Sequence, residues 1–202
     1  MFIKNSYPCY LLRDGLSWIR WQRRGFEAPS PQFVKRSVLF RNGLRNSTWI
    51  ETGTYLGETT SFLARRSPFV YSLEPEPVLF ARAARRFAKT ANVRILQGTS
   101  EAVLPALLPA LSGSINFWLD GHYSAGATYK GSQDTPVADE LDCIAKNLVR
   151  FDRVCVLIDD VRLFAGGASE DTGYPPLDYL AAWAKENGFR WHVEHDVFVA
   201  KR

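Results

Sequence analysis

No stretch of the chain approaches the roughly eighteen uncharged apolar positions that a membrane-crossing helix needs. The first residues, broken by Asp14 and several arginines, also lack the apolar core of a secretion signal, so a soluble, cytoplasmic protein is expected. Cysteine is scarce. Cys9, Cys143 and Cys155 are odd in number, widely spaced and without a Cys-x-x-Cys pair, which points to small core residues rather than a disulfide framework or a zinc site. Internal repeats, low-complexity tracts and a linker to a second domain are missing as well. What is present, 46% hydrophobic against 23% charged residues in a chain of 202, suffices to bury one sizeable core and excludes a disordered chain.

Charge is unevenly spread behind a net +4. Residues 1–100 carry 16 Lys and Arg against 6 Asp and Glu, and residues 101–202 carry 9 against 15. A basic half focuses the field toward anionic partners, yet the same charges also make an ordinary solvated face. Arg82, Arg85, Arg86 and Lys89 favour the plainer reading, because Phe80, Ala83, Ala84 and Phe87 interleave with them as the buried side of a helix.

From about residue 48, short β-like apolar runs alternate with amphipathic helical stretches. Strands are predicted over 48–52, 69–74, 92–97, 115–120, 153–159, 189–195 and 197–201, and helices over 58–66, 76–89, 100–111, 134–149 and 175–187. The alternation predicts a Rossmann-like, doubly wound, mostly parallel α/β sheet of seven strands with helices on both faces. The last two strands are joined too tightly for a crossover, so they should form an antiparallel hairpin. Residues 1–47 stand outside the pattern as a helical extension, with a helix expected from Gln32 to Asn42 after Pro29 and Pro31. Trp18, Ile19 and Trp21, interleaved with Arg20, Arg23 and Arg24, suit an interfacial helix, a lid, a homodimer contact or simple packing on the domain of residues 48–202.

In an open parallel sheet, ligands sit beyond the C-terminal strand ends. The run Trp49-Ile50-Glu51-Thr52-Gly53-Thr54-Tyr55-Leu56-Gly57-Glu58-Thr59 is a strand entering a glycine turn and a helix start. Gly53 can take backbone angles closed to other residues, Gly57 allows close approach to a ligand, and the free amides of the helix start favour an anion. A tight turn with packing glycines would look the same. The next strand ends in Glu74, twenty-three residues after Glu51, where a carboxylate can accept both hydroxyl protons of a ribose. Glu76 is read as the acid of the following helix start.

These residues resemble the class I S-adenosylmethionine-dependent methyltransferases over roughly residues 46–202. The resemblance implies that Glu51, Thr52, Gly53, Thr54, Tyr55, Gly57 and Thr59 cradle the methionine end of the cofactor, that Glu74 holds the ribose, and that Gly98, Thr99 and Ser100 lie near the adenine, with Asp120 at the edge of the same pocket. Many relatives carry an acid where Thr99 stands, so recognition of the adenine amino group would pass to Ser100 or Glu101.

Two further strands end in acids, Phe117-Trp118-Leu119-Asp120 and Val156-Leu157-Ile158-Asp159-Asp160. Neighbouring strand ends lie about 5 Å apart, and carboxylates that close share protons, pair with bases or bind a hard cation such as Mg²⁺ or Ca²⁺. A metal-free cofactor pocket using Asp120 alone and purely structural, turn-capping acids are the alternatives. Here the resemblance narrows to the metal-dependent O-methyltransferases of catechol and sugar type, which implies Mg²⁺ on Asp120, Asp159 and Asp160 and a small hydroxylated acceptor. His122 is the first candidate base and Lys130 the second. His192 and His195 lie three apart in a strand, on opposite faces, and are read as structural. The loops 121–134 and 160–174, the latter with Gly166-Gly167 as a hinge, are the expected lids. Nucleic acid is not the expected partner, since no RNA-binding module is recognisable. The competing readings are a metal-independent RNA or nucleotide methyltransferase and a non-catalytic nucleotide-binding α/β protein.

Overall fold

The computed structural model describes residues 7–120, 135–164 and 173–202, residues 7–13 by backbone alone. Seven strands form one sheet: β1 (Thr48–Thr52), β2 (Phe69–Glu74), β3 (Val93–Gln97), β4 (Gly113–Leu119), β5 (Phe151–Ile158), β6 (Arg190–Glu194) and β7 (Val197–Lys201). Their order is β3-β2-β1-β4-β5-β7-β6, with β7 antiparallel to both neighbours and all other pairs parallel. This is the Rossmann-like doubly wound sheet that the alternation predicts. The closing hairpin turns through His195 and Asp196, both at positive φ (48° and 67°), as a two-residue turn matched to strand twist requires.

Helices α1 (Tyr7–Arg23), α2 (Gln32–Asn42), α3 (Glu58–Ala64), α4 (Pro77–Phe87), α5 (Ser100–Leu107), α6 (Val137–Asn147) and α7 (Leu177–Glu186) complete the described chain. Strand side chains alternate between two cores, as a sheet buried on both faces demands. Ile115, Phe117 and Leu119 of β4, Val154, Val156 and Ile158 of β5, and Phe198 and Ala200 of β7 meet Leu104 of α5, Leu141 and Ile144 of α6, and Leu180 and Trp183 of α7. Their neighbours Trp118, Cys155, Leu157 and Val199 meet Val38 and Leu39 of α2 and Leu63 of α3 on the other side. Cys155 is thus the small core residue that its spacing suggests. Asn116 fastens the end of α2 to β4, accepting from the Leu44 amide at 2.7 Å and donating to the Leu44 carbonyl at 3.1 Å.

Local signals explain most helix limits. Pro77 opens α4, and the Glu76 carboxylate caps it by accepting from Leu79 N at 2.8 Å, the helix-start role read from its position. The buried stripe of α4 is Leu79, Ala83 and Phe87; Phe80 is only half-buried, one position off the predicted face. The helix expected over 100–111 ends at Leu107 and continues as a 3₁₀ turn over Leu108–Ala110, because Pro109 has no amide to carry the α-helical ladder on. Among the described residues, no helix is long and apolar enough to cross a membrane.

Phe117 lies mid-strand with no exposed surface. Replacing it by alanine is expected to lower the unfolding free energy by about 3–5 kcal/mol in urea titrations. A loss below about 1 kcal/mol would mean that the helices collapse onto the space without needing the ring.

Candidate functional site

The parallel ladder runs one residue past the strand ends and sets the site. Gly53 N donates to Leu73 O (3.1 Å), Asp120 N to Thr52 O (3.1 Å) and Asp159 N to Leu119 O (3.0 Å). Glu74, Gly53, Asp120 and Asp159 therefore follow one another along the C-terminal edge, each at or one residue beyond the end of its strand. The turn after β1 is left-handed three times: φ is 97° at Gly53, 49° at Tyr55 and 71° at Gly57. Gly57 has a second reason to be glycine. A Cβ there would stand 2.7 Å from Cε2 of Phe87, so it is packing against α4, as well as any ligand, that demands the missing side chain.

Glu74 is nearly buried, and both of its oxygens are steered by backbone amides: Tyr55 N donates to Oε2 at 2.7 Å and Glu76 N to Oε1 at 3.0 Å. Burial raises its pKa against the pull of those two amides. Glu51 points to the α3 side, where its Oε2 accepts from Thr60 Oγ1 (2.5 Å) and Ser72 Oγ (2.6 Å). Burial pushes it up to about 7 despite the two hydroxyls. Thr54 turns inward onto Ser72 Oγ (2.6 Å) and the Leu73 carbonyl, whereas Tyr55 is exposed and Thr59 half-buried. Gly98, at φ 138°, donates to Glu74 O (3.2 Å), Thr99 is the N-cap residue of α5, and Ser100 is buried with its hydroxyl directed to Glu101 Oε2 at 3.3 Å. The Ser100 and Thr52 hydroxyls also flank Glu140, a buried acid on α6 that sequence reasoning missed. Burial drives Glu140 up to about 7 against those hydroxyls, and Glu140 Oε1 and Thr52 Oγ1 have no hydrogen bond of ordinary geometry.

The acidic edge carries a cation of its own. Lys35 of α2, almost fully buried, places Nζ 2.6 Å from Asp159 Oδ1 and 2.7 Å from Asp160 Oδ1. Asp160 adopts left-handed angles (φ 57°, ψ 45°), donates its amide to Asp159 Oδ1 at 2.8 Å and takes a second cation, Arg162, at 2.6 Å. Arg162 is itself paired with Asp196 of the β6–β7 turn. Burial followed by the charge of Asp159 raises Asp120 well above the carboxylate range, and burial brings Asp159 to about 6 even with Lys35 drawing it down. Burial would lower Lys35, but the two carboxylates more than reverse this. Asp159 and Glu140 also line a narrow pocket walled by Thr135, Phe164 and Tyr174.

The three expected metal ligands therefore do come to one edge, but two of them, Asp159 and Asp160, are salt-bridged to Lys35. Among the described residues, no set of three or more His, Cys, Asp or Glu side chains is arranged to hold a metal ion, and Asp159 and Asp160 already converge on an ammonium. This donor set does not fit Mg²⁺. Lys35, 125 residues before Asp160, left no trace in sequence spacing. The cofactor side fits better: each Glu74 oxygen has one amide and a second lone pair for a ribose hydroxyl. His122, Lys130 and the Gly166-Gly167 hinge lie outside the described residues. His192 sits on exposed β6, 3.8 Å from Glu194, and His195 packs its ring on Trp21, so neither joins the edge.

No protein-family model and no curated protein matches the sequence. Among solved structures the chain is similar to the 23S rRNA methyltransferase ErmE, with a TM-score of 0.52, 13% identity and coverage of 85% of this chain and 67% of that one. It is also similar to a precorrin-6y C5,15-methyltransferase from Geobacter metallireducens (TM-score 0.52, 14% identity, 82% and 84% covered). A candidate methyltransferase from Streptococcus mutans in complex with S-adenosylhomocysteine matches at a TM-score of 0.51 and 17% identity, with 87% and 98% covered. The fold is the Rossmann-like fold that these methyltransferases share.

The raised acids predict how stability varies with pH. Glu51 and Glu140 titrate near 7 when folded and near 4.3 when unfolded, so the folded chain holds more protons in between. Their favourable contribution is complete below about pH 4.3 and is lost as pH rises through about 7. Glu140→Gln is expected to flatten that fall, removing up to about 3 kcal/mol of the difference between pH 5 and pH 8 in urea titrations. Parallel profiles for the two proteins would reject the assignment.

Proposed function

We propose that the chain is an S-adenosylmethionine-dependent methyltransferase that methylates an oxygen of a small hydroxylated acceptor. The observation that carries the reading is the pairing of the left-handed Gly53 turn with Glu74, one rung away and aligned by the Tyr55 amide. Glu74 would accept the ribose hydroxyls, Glu51 and the turn from Thr52 through Tyr55, Gly57 and Thr59 would surround the methionine end, and Gly98 to Ser100 would border the adenine. When bound, S-adenosylmethionine supplies an electrophilic methyl group. Glu51, Asp120 and Asp159 are acids near one another at this edge, and they would suit a positively charged sulfonium bound there. An acceptor hydroxyl held beside Asp120 would give its proton to the Asp159 carboxylate; His122 and Lys130 are further candidates for that base. Asp159, at about 6, is tuned close to neutrality for this role.

An RNA acceptor is the second reading. It is favoured by the arginines Arg20, Arg23 and Arg24, which surround a surface cleft with Pro29 and Pro31, and by the rRNA methyltransferase among the similar folds. A steep loss of RNA affinity with salt would support it.

Calorimetry with S-adenosylhomocysteine is expected to give saturable binding that weakens about 10- to 100-fold in Glu74→Ala, the value of one to two charge-assisted hydrogen bonds. A screen of hydroxylated metabolites with labelled S-adenosylmethionine should then yield an O-methylated product. Absence of any S-adenosylhomocysteine binding would sink the reading.

A further inference from the structure

The acidic edge was expected to need a divalent cation, and its side chains show another solution. Three carboxylates stand together at the ends of β4 and β5, and the nearest cation to two of them belongs to the chain. Lys35 approaches from α2, in the segment that precedes the sheet, and its Nζ lies where Asp159 Oδ1 and Asp160 Oδ1 converge, at 2.6 and 2.7 Å. It is 4% exposed, so the ammonium has exchanged its water shell for these oxygens. The left-handed backbone of Asp160 directs its side chain to the same point as that of Asp159, a conformation seldom adopted without a local reason. Arg162 adds a second positive charge on Asp160 Oδ1. Mg²⁺ needs oxygen ligands at about 2.1 Å in near-octahedral array and keeps several waters. On the side of the two Oδ1 atoms that Lys35 occupies, such an ion would overlap the ammonium, and like charge would repel it.

We propose that Lys35 is the built-in cation of this edge, taking the place of a divalent metal at Asp159 and Asp160. The consequence for substrate rests on the methyltransferase reading above. A metal can clasp two neighbouring oxygens of an acceptor at once, whereas an ammonium buried between two carboxylates cannot. The acceptor class is therefore one bound through a single hydroxyl, with no requirement for a vicinal diol or catechol pair. Lys35 acts through Asp159 and Asp160 as a positioning residue.

The test is a Mn²⁺ titration followed by electron paramagnetic resonance on the full chain without cofactor, so that it is read independently of methyl transfer. Wild type and Asp159→Asn should be indistinguishable, with no saturable Mn²⁺ site tighter than about 1 mM. Lys35→Met is expected to gain a site at least about ten-fold tighter, which Lys35→Met combined with Asp159→Asn loses again. Lys35→Gln, which keeps a polar stem in the same space, is measured beside it in case the methionine variant does not fold. Wild-type binding that Asp159→Asn abolishes would overturn the proposal, as would a folded Lys35 variant that gains no site. Failure of S-adenosylhomocysteine to bind would instead remove the methyltransferase reading and leave the cation exchange standing.

Discussion

Crowding of carboxylates at the ends of parallel strands is the constraint around which this molecule is arranged. The ladder carries each strand to the same level, so an acid placed just past β1, β2, β4 or β5 meets its neighbours across the spacing of one strand, about 5 Å. Negative charges that close cannot all stay ionised out of water. The chain answers in three ways at three places. Glu74 is held by backbone amides, Glu51 by the hydroxyls of Thr60 and Ser72, and Asp159 with Asp160 by the ammonium of Lys35. Only the last brings in a full positive charge, and it does so from a helix outside the alternating β/α pattern. That ion pair, with Asn116 gripping Leu44, helps fasten α2 to the sheet.

The parts legible in the sequence are those governed by neighbours along the chain. A short apolar run marks β4, and proline with an acid marks the start of α4. Five residues between Glu51 and Gly57 suffice to announce a strand, a left-handed turn and a helix. Asp120 and Asp159 are readable as strand-end acids because the apolar runs before them stop abruptly. The parts that were not legible are long-range. Pairing of Lys35 with Asp159 depends on how α2 lies across the sheet, and insertion of β7 between β5 and β6 depends on which edge the closing hairpin can pair with. Glu140 was hidden for another reason: on an amphipathic helix an acid in the first turn reads as a solvated cap, whereas here it faces the buried stripe beside Leu141 and Ile144. Gly57 shows the converse, a glycine that looks made for a ligand and is also required by Phe87.

The two sides of the edge differ in what they leave unfinished. Beneath the glycine turn, Glu74 has its amides and retains lone pairs pointing to no other described partner, a ready acceptor for paired hydroxyls. Beside α6, the Thr52 hydroxyl and Glu140 Oε1 are buried without ordinary hydrogen bonds, and such groups normally carry a cost of about 1–3 kcal/mol each. A fold that tolerates this next to its ligand edge is less stable than it would be with both groups replaced by apolar ones, which is common where sequence serves a site rather than a core.

The same bookkeeping explains why so many acids here titrate late. Burial lifts Glu51, Glu74, Glu140, Asp120 and Asp159 together, and Lys35 draws Asp159 and Asp120 part of the way back. An edge of this kind attracts positive charge more as pH rises, since each proton lost leaves a carboxylate that is poorly solvated. A ligand bearing one fixed positive charge would relieve that strain without the demanding coordination sphere of a divalent ion. On the proposed methyltransferase reading, the sulfonium of S-adenosylmethionine would be such a ligand, while Lys35 neutralises Asp159 and Asp160. Cofactor charge and lysine charge would then divide the acids between them, and the extension that delivers Lys35 serves the electrostatics of the sheet edge as well as its packing.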